Sequence, residues 1–512
     1  MAAGTGAIGA TAGADPAAGG EAKAGTAAAA DKAPAAGERA NAKTAADKAP
    51  AAGEGSNANA AAAANGERCP LPCTSYDVIV IGSEIEGVLL ARAAHDLGKK
   101  VLILDPRSRP GGQLIQGQMI VLDEPRGKDK KSLVQGRLKR LYDGYNSQKI
   151  RKIEEFEKYY KDLLGPVPIR SGIRIEAVKT LPREDGRTLA YIQYRARDGL
   201  LYRVTAKYWV ENTDHAALTG LLNVTRIPGL ESLFMGGGTE PEYMAATYML
   251  RFKHVDWNTL HQATVKEYPV SNLQKKYGPN TYVDRNFGTG FSKVTAKYEP
   301  TSKRLKLRGL NMTNQRDGQA VINALLIFDV DPSDPASVRE AVRLGREEAP
   351  RVLEFLRNNL PGFGEAELDD LPDYLYIREF DRYETQYVLT RDDILSSRMF
   401  PDNVSIGGYS IDIQGTPRFP NGFSYGGVDR YGLPLRSFLL REIDNVIVAG
   451  KNAGAAADAY GSVRILPNTA LAGEVIGILI GREEKHLRDL NEADFKRIHG
   501  YLEQEYGIRV RG

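Results

Sequence analysis

Asp77-Val78-Ile79-Val80-Ile81-Gly82-Ser83-Glu84-Ile85-Glu86-Gly87 is the stretch that decides the fold. Residues 78–81 are a continuous β-branched run that stops at a glycine, which is how a strand covered on both faces of a parallel sheet reads. Residues 85–97 then follow a helical pattern closed by Gly98. A second buried-strand run, Lys100-Val101-Leu102-Ile103-Leu104-Asp105, comes next. Strand, helix and strand within roughly thirty residues make a βαβ unit. A third run of the same kind, NVIVAG at 445–450, lies far along the chain. Between them, residues 173–181, 189–196 and 202–210 alternate apolar and polar positions across Gly- or Asp-rich turns, which predicts an antiparallel meander.

The turn from first strand to helix carries the chemistry. Free N–H groups and the positive end of the helix dipole at such a place suit a pyrophosphate. The turn uses three glycines, for tightness, for close backbone approach and for helix–strand packing. Gly82 and Gly87 hold the first and third places, Ser83 follows the first, and Glu84 stands in the middle one. Asp105 closes the second strand at the distance expected of an acid that holds a ribose hydroxyl. Glu84 is the defect, because two anions about 4 Å apart at an effective dielectric of ~20 repel by about 4 kcal/mol. Three outcomes are open: the side chain turns outward, it caps a helix N-terminus in place of phosphate, or a Lys or Arg neutralises it.

At these residues the chain resembles the FAD-dependent oxidoreductases of the glutathione-reductase-like flavoprotein fold, from about Tyr76 to about Gly481. Pro106-Arg107-Ser108-Arg109-Pro110-Gly111-Gly112-Gln113 is similar to the Gly-Gly loop that in the family runs along the cofactor. Val210-Glu211-Asn212-Thr213-Asp214-His215 is similar to the ATGD-type segment, where a strand ends against the cofactor; Thr213 is kept and Asp214 replaces the usual glycine. A long family-like block covers 377–382, 387–390, 392–395, 400–402 and 408–413. Gly450 closes the third strand, and residues 459–467, with Arg464, lead into a helix from Asn468. In such folds that helix points at the pyrimidine end of the flavin, where its dipole stabilises negative charge. The resemblance implies an α/β flavoprotein: a Rossmann-like FAD-binding domain with parallel sheet and β-meander, an inserted α+β substrate domain, and FAD bound non-covalently.

Residues 1–68 read differently. They are rich in Ala and Gly, repeat ADKAPAAGE at 30–38 and 46–54, and hold one Ile and no aromatic residue. Such a segment cannot offset an ordering cost of about 1–2 kcal/mol per residue, so a disordered tail is expected. The expected domains are 69–225 for the first part of the FAD-binding domain, with a basic helical excursion at 126–164, then 226–435 for the substrate or cap domain. Residues 436–484 would complete the FAD-binding domain and 485–512 form a C-terminal helical tail. A helical run at 336–359 ends before Pro361-Gly362, and residues 414–434 are expected to form a loop over the flavin.

The whole chain has 512 residues, 68 Lys and Arg against 65 Asp and Glu, and a formal charge of +3, which argues against a dedicated nucleic-acid binder. Two cysteines exclude a disulfide scaffold, and no His pair stands at metal spacing, so no metal is expected. Cys69 and Cys73 are spaced C-x-x-x-C, read as a structural or incidental pair, with a dithiol relay to the flavin as the alternative. Apolar runs are short and broken by Gly and Glu, and no basic n-region opens the chain; no membrane span and a cytoplasmic location are expected. Tyr142, Tyr145, Tyr159 and Tyr160, interleaved with basic residues, read as the buried side of helices or as an RNA surface, the former favoured.

A flavin carries hydride or electron chemistry itself, so the protein's task is to place the substrate. His215 is the one histidine beside a cofactor segment and is the candidate proton donor or acceptor. Arg378 and Arg382 are candidate anchors for a carboxylate or phosphate, with an ion-pair network through Glu379 and Asp381 as the alternative. The expected activity is an FAD-dependent oxidoreductase acting on a small organic substrate. The alternatives are a flavin-free scaffold in which Glu84 fills the phosphate site and a tRNA-modifying flavoprotein.

Overall fold

Runs with no polar residue to turn outward have to be covered on both faces, and the parallel strands are built from them. The computed structural model describes residues 73–230 and 241–511. The expected tail and Cys69 lie outside them. β1 (Cys73–Ile81) and β2 (Val101–Asp105) pair in parallel, Val78 opposite Val101, with α1 (Ile85–Asp96) crossing between them. α2 (Gly112–Ile115), α3 (Lys139–Asn146) and α4 (Ile153–Leu164) follow. β3 (Ile169–Ser171), β4 (Arg174–Arg183), β5 (Gly186–Arg195) and β6 (Leu201–Glu211) complete the order β3-β2-β1-β6-β5-β4. The meander is thus formed, and β6 belongs to both halves. Its first residues pair antiparallel with β5, and its last three pair in parallel with Val446–Val448, which enters where the meander leaves.

α1 lies between this sheet and the Leu466–Arg482 helix. The approach is close: a Cβ on Gly473 would fall 2.4 Å from the Glu86 carbonyl oxygen, and one on Gly477 2.3 Å from that of Leu90. The basic excursion folds as α3 and α4 with Tyr142, Tyr145, Tyr159 and Tyr160 all buried in the main core, so those rings present no stacking surface to RNA. Tyr160 donates its hydroxyl to the Ser83 carbonyl at 2.9 Å and ties α4 to the glycine turn.

A second, antiparallel sheet is centred on Ala246–Lys253 and Ala320–Ile327. Tyr248, Leu250 and Phe252 face the Pro335–Asn359 helix, while Met249 and Val321 face the main core. That helix starts on the Asp334 cap and stops before Pro361-Gly362, as its pattern predicts. The Glu492–Tyr506 helix, capped by Asn491, buries Phe495, Ile498 and Leu502 in the main core. Among the described residues no single helix is long and apolar enough to cross a membrane; the one apolar pair, Ala457–Val463 with Leu466–Arg482, is bent by 81°. Cys73 is disulfide-bonded.

Candidate functional site

The glycine turn closes as the sequence requires. Gly82 sits at φ +96°, and a Cβ there would fall 2.4 Å from the Asn212 carbonyl oxygen, so no other residue fits. The N–H of Gly87 donates to Asn212 Oδ1 at 2.8 Å, which fixes the start of α1 to the end of β6. Asp105 is fully buried; one of its oxygens accepts the Ser83 hydroxyl and the other the Arg107 N–H at 2.8 Å. Pro106 only shapes the bend that returns Arg107 to the turn.

Glu84 combines two of the three outcomes its position left open. Its carboxylate does not cap α1; it reaches across to the Gly-Gly loop. Arg107 Nη1 lies 2.6 Å from it, and the Gln113 N–H donates to it at 2.9 Å. It fills the hollow over Gly112, where a Cβ would meet Glu84 Oε2 at 2.2 Å. Gly111 follows its own course, with its N–H donating to Ser83 Oγ at 3.2 Å.

Two more carboxylates crowd the same place. Asp214, where the family-like segment usually has glycine, is buried and accepts Gln113 Nε2 at 2.8 Å, with Arg107 at 3.6 Å. Burial pushes its carboxyl up, but Arg107 and the His215 hydrogen bond outweigh this and hold it well below the usual carboxylate range. Glu86, on the first turn of α1, is buried against Gly450 and accepts the Thr469 hydroxyl at 3.1 Å. Burial, with Glu84 nearby, pushes its carboxyl up to about 7 against a partial pull from Lys451.

Because the folded chain holds the Glu86 proton more tightly than the unfolded chain does, this group stabilises the fold below its ordinary value of 4.5, and the gain is lost as pH rises through about 7. The loss amounts to about 3 kcal/mol. Denaturant unfolding of the wild type and of Glu86→Gln, compared between about pH 5 and about pH 8, is expected to show a shallower pH dependence in the variant. Parallel curves would show that Glu86 ionises in the folded protein as freely as in water.

The remaining expected residues fall into two groups. Arg464 stands at the corner between the Ala457–Val463 and Leu466–Arg482 helices, 4% exposed, with Nη1 donating to the Tyr376 hydroxyl at 3.2 Å and Nη2 to the Asp412 carbonyl at 3.1 Å. Asn468, on the first turn of the latter helix, donates to the Ser462 carbonyl at 2.8 Å while its Oδ1 has no partner. Thr213 caps the loop beyond β6, accepting the Ala217 N–H at 3.0 Å.

Arg382 is buried elsewhere. Nη1 is bound to Glu379 at 2.7 Å, Nε to the Ala455 carbonyl at 3.0 Å and Nη2 to the Gly229 carbonyl at 2.9 Å, and the guanidinium lies over the Tyr460 ring. Arg378 is bound to the Ala245 carbonyl at 2.8 Å and to Asn323 at 3.1 Å. Every nitrogen of Arg382 is held by the protein, so the pair does not converge on one ligand; the ion-pair alternative describes Arg382 and Glu379. His215 is anchored through Nδ1 to Asp214 at 2.9 Å.

A narrow cavity joins these parts. Glu84, Glu86 and Gln113 line one end, and Tyr376, Lys451, Arg464 and Leu466 the other, with Asp123 and Met119 along its side. His215, Arg378 and Arg382 do not line it. Sequence reading missed Lys451, which follows Gly450 directly and donates to Gln113 Oε1 and to the Ile377 carbonyl. It also missed Asp123 and Tyr376, for which no local pattern gave a signal. Asp123 accepts the Tyr409 hydroxyl at 3.0 Å, and burial followed by the charge of Asp412 pushes its carboxyl up.

The donors around Glu84 are those of an anion site: a guanidinium, a main-chain N–H and the terminus of α1, which no side chain caps. A diphosphate fits these donors once the Glu84 carboxylate turns away. The sequence matches the FAD dependent oxidoreductase family over residues 77–502. No curated protein matches the chain. Among solved structures, a geranylgeranyl bacteriochlorophyll reductase-like protein from Thermoplasma acidophilum is 12% identical at a TM-score of 0.38, covering 85% of each chain. The p-nitrophenol 4-monooxygenase PnpA from Pseudomonas putida is 13% identical at 0.37, covering 85% of this chain and 88% of its own. Tetracycline destructase Tet(51) is 10% identical at 0.38, with coverage of 85% and 88%. Likenesses this loose bear on neither substrate nor reaction. A match across most of the described chain, on a turn, a Gly-Gly loop and a helix terminus arranged in this way, places the protein in the FAD-dependent oxidoreductase family, enzymes whose cofactor is FAD.

Proposed function

We propose that the protein oxidises or reduces a small organic molecule by hydride or electron transfer through FAD. The observation that carries this reading is one cavity lined at one end by the residues of the glycine turn and at the other by Lys451, Arg464 and the start of the Leu466–Arg482 helix. Bound FAD would supply the hydride or electron chemistry. Gly82, Ser83, Arg107, Gly111, Gly112 and Gln113 would hold its diphosphate, Asp105 its ribose side, and Lys451, Arg464, Gly450 and Asn468 its ring end. Tyr376 lies under Lys451, whose Nζ is 4.9 Å from the ring centroid, and fixes that charge at the cavity wall.

Asp123 is the proton-handling group this geometry favours over His215. It lines the cavity, its carboxyl is raised toward neutrality by burial, and Tyr409 connects it to the Asp412 hairpin. His215, half-buried and tied to Asp214, would instead help hold Asp214 away from the diphosphate. Arg382 would position the strand that carries Glu379. For the compartment, the disulfide at Cys73 points to oxidising surroundings, against the cytoplasmic placement expected from the sequence.

The test is the visible spectrum of the purified full chain before and after incubation with FAD and gel filtration. Flavin absorbance that co-elutes with protein, and is lost on adding a reductant under anaerobic conditions, is the expected result. A chain that stays colourless in excess FAD would leave Glu84 as the permanent occupant of its anion site and would reject the reading.

A further inference from the structure

At the inner end of the cavity the second sheet brings in a further arginine. Arg308 follows the Leu305–Leu307 strand, its N–H pairing with the Ala324 carbonyl at 3.1 Å, so its side chain starts from the seam between the two sheets. There it meets Arg464 from the helix corner, Asp412 from the Ile411–Ile413 strand and Asp123 from the loop after α2. Among the described residues the Arg308 guanidinium makes no hydrogen bond, and its Nε is shielded from solvent without a partner. Nε of Arg464, itself 96% buried, is also without a partner.

Buried donors are nearly always satisfied, and an orphaned pair on two arginines that share a cavity asks for an acceptor. The charge count agrees. Arg308, Arg378 and Arg464 face two carboxylates, Asp123 and Asp412, which leaves one positive charge in surplus. Burial, with Arg308 and Arg464 adding repulsion, pushes Arg378 down to about 9. Asp412 is already occupied by Gln414 Nε2 at 2.7 Å and Arg464 Nη2 at 3.3 Å, so it does not serve the orphaned donors.

Building on the function proposed above, we infer that the substrate is a carboxylate, received as a monoanion by Arg308 and Arg464 at the seam between the two sheets. Guanidinium donors suit carboxylate and phosphate alike. The single surplus charge, and the two aspartates beside it, disfavour a dianion, which selects the carboxylate.

The test is isothermal titration calorimetry of the FAD-loaded full chain with acetate, benzoate, benzamide and inorganic phosphate, alongside Arg308→Met and Arg308→Lys. Flavin content and melting temperature report whether each variant is folded and loaded. Binding of acetate or benzoate is expected, with benzamide silent, and with affinity at least about thirtyfold weaker in Arg308→Met and partly kept in Arg308→Lys. Benzamide binding as tightly as benzoate, unchanged affinity in Arg308→Met, or binding of phosphate but of neither carboxylate would each overturn the inference. No response to any probe in a chain that carries FAD would overturn it while leaving the proposed function intact. A chain that takes up no FAD but binds benzoate through Arg308 would do the reverse.

Discussion

Glu84→Gly is expected to tighten FAD binding by a factor between about ten and several hundred, the upper end set by a Coulomb repulsion of about 4 kcal/mol between neighbouring anions. In the wild type the Glu84 carboxylate holds Arg107 and the Gln113 N–H, and FAD has to displace it from both. The variant frees these donors. Glu84→Gln is expected to fall between the two, because it removes the charge and keeps the volume over Gly112. Equilibrium titration of FAD quenching on the stripped protein measures all three. If Glu84→Gly abolishes binding, the carboxylate is a positive contact, and the repulsion it was assigned is wrong.

Arg382→Met is expected to cost about 3–5 kcal/mol of stability. Both members of the Arg382–Glu379 pair are 0% exposed, and burial already pushes the Glu379 carboxyl up against the pull of Arg382. Removing the guanidinium leaves a buried carboxylate with only the Met244 N–H, at 3.1 Å, and strips acceptors at Ala455 and Gly229 of their donor. Denaturant midpoints give the loss, and Arg382→Met with Glu379→Gln together is expected to recover part of it. A variant of unchanged stability that loses only substrate affinity would restore Arg382 as a substrate anchor.

The two experiments test different readings of one kind of feature. In both places a charge sits where burial opposes it. At Arg382 every donor is matched by an acceptor of the protein, and the arrangement is structural. At Glu84 the partners are the groups that a phosphate would use, and the arrangement competes with a ligand. The Glu86 carboxyl adds to this competition. As it ionises through about 7, the charge beside the diphosphate grows, so FAD affinity is expected to weaken with rising pH in the wild type and less so in Glu86→Gln.

The parallel strands, the meander, the helix after the glycine turn and the helix ending at Asn359 were all legible in the sequence. Each rests on local periodicity, and a run such as residues 78–81 has one way to bury itself. The turn was legible for the same reason: Gly82 needs its positive φ whatever surrounds it. What only the tertiary structure decided is which charged groups meet. Glu84 finds Arg107 across 23 positions, Arg308 approaches Asp123 and Asp412 from another sheet, and Arg382 turns inward to Glu379 while Arg378 does not. Spacing along the chain carries no record of such meetings, because electrostatic partners are chosen by distance in space after the backbone has been set by burial of its apolar faces.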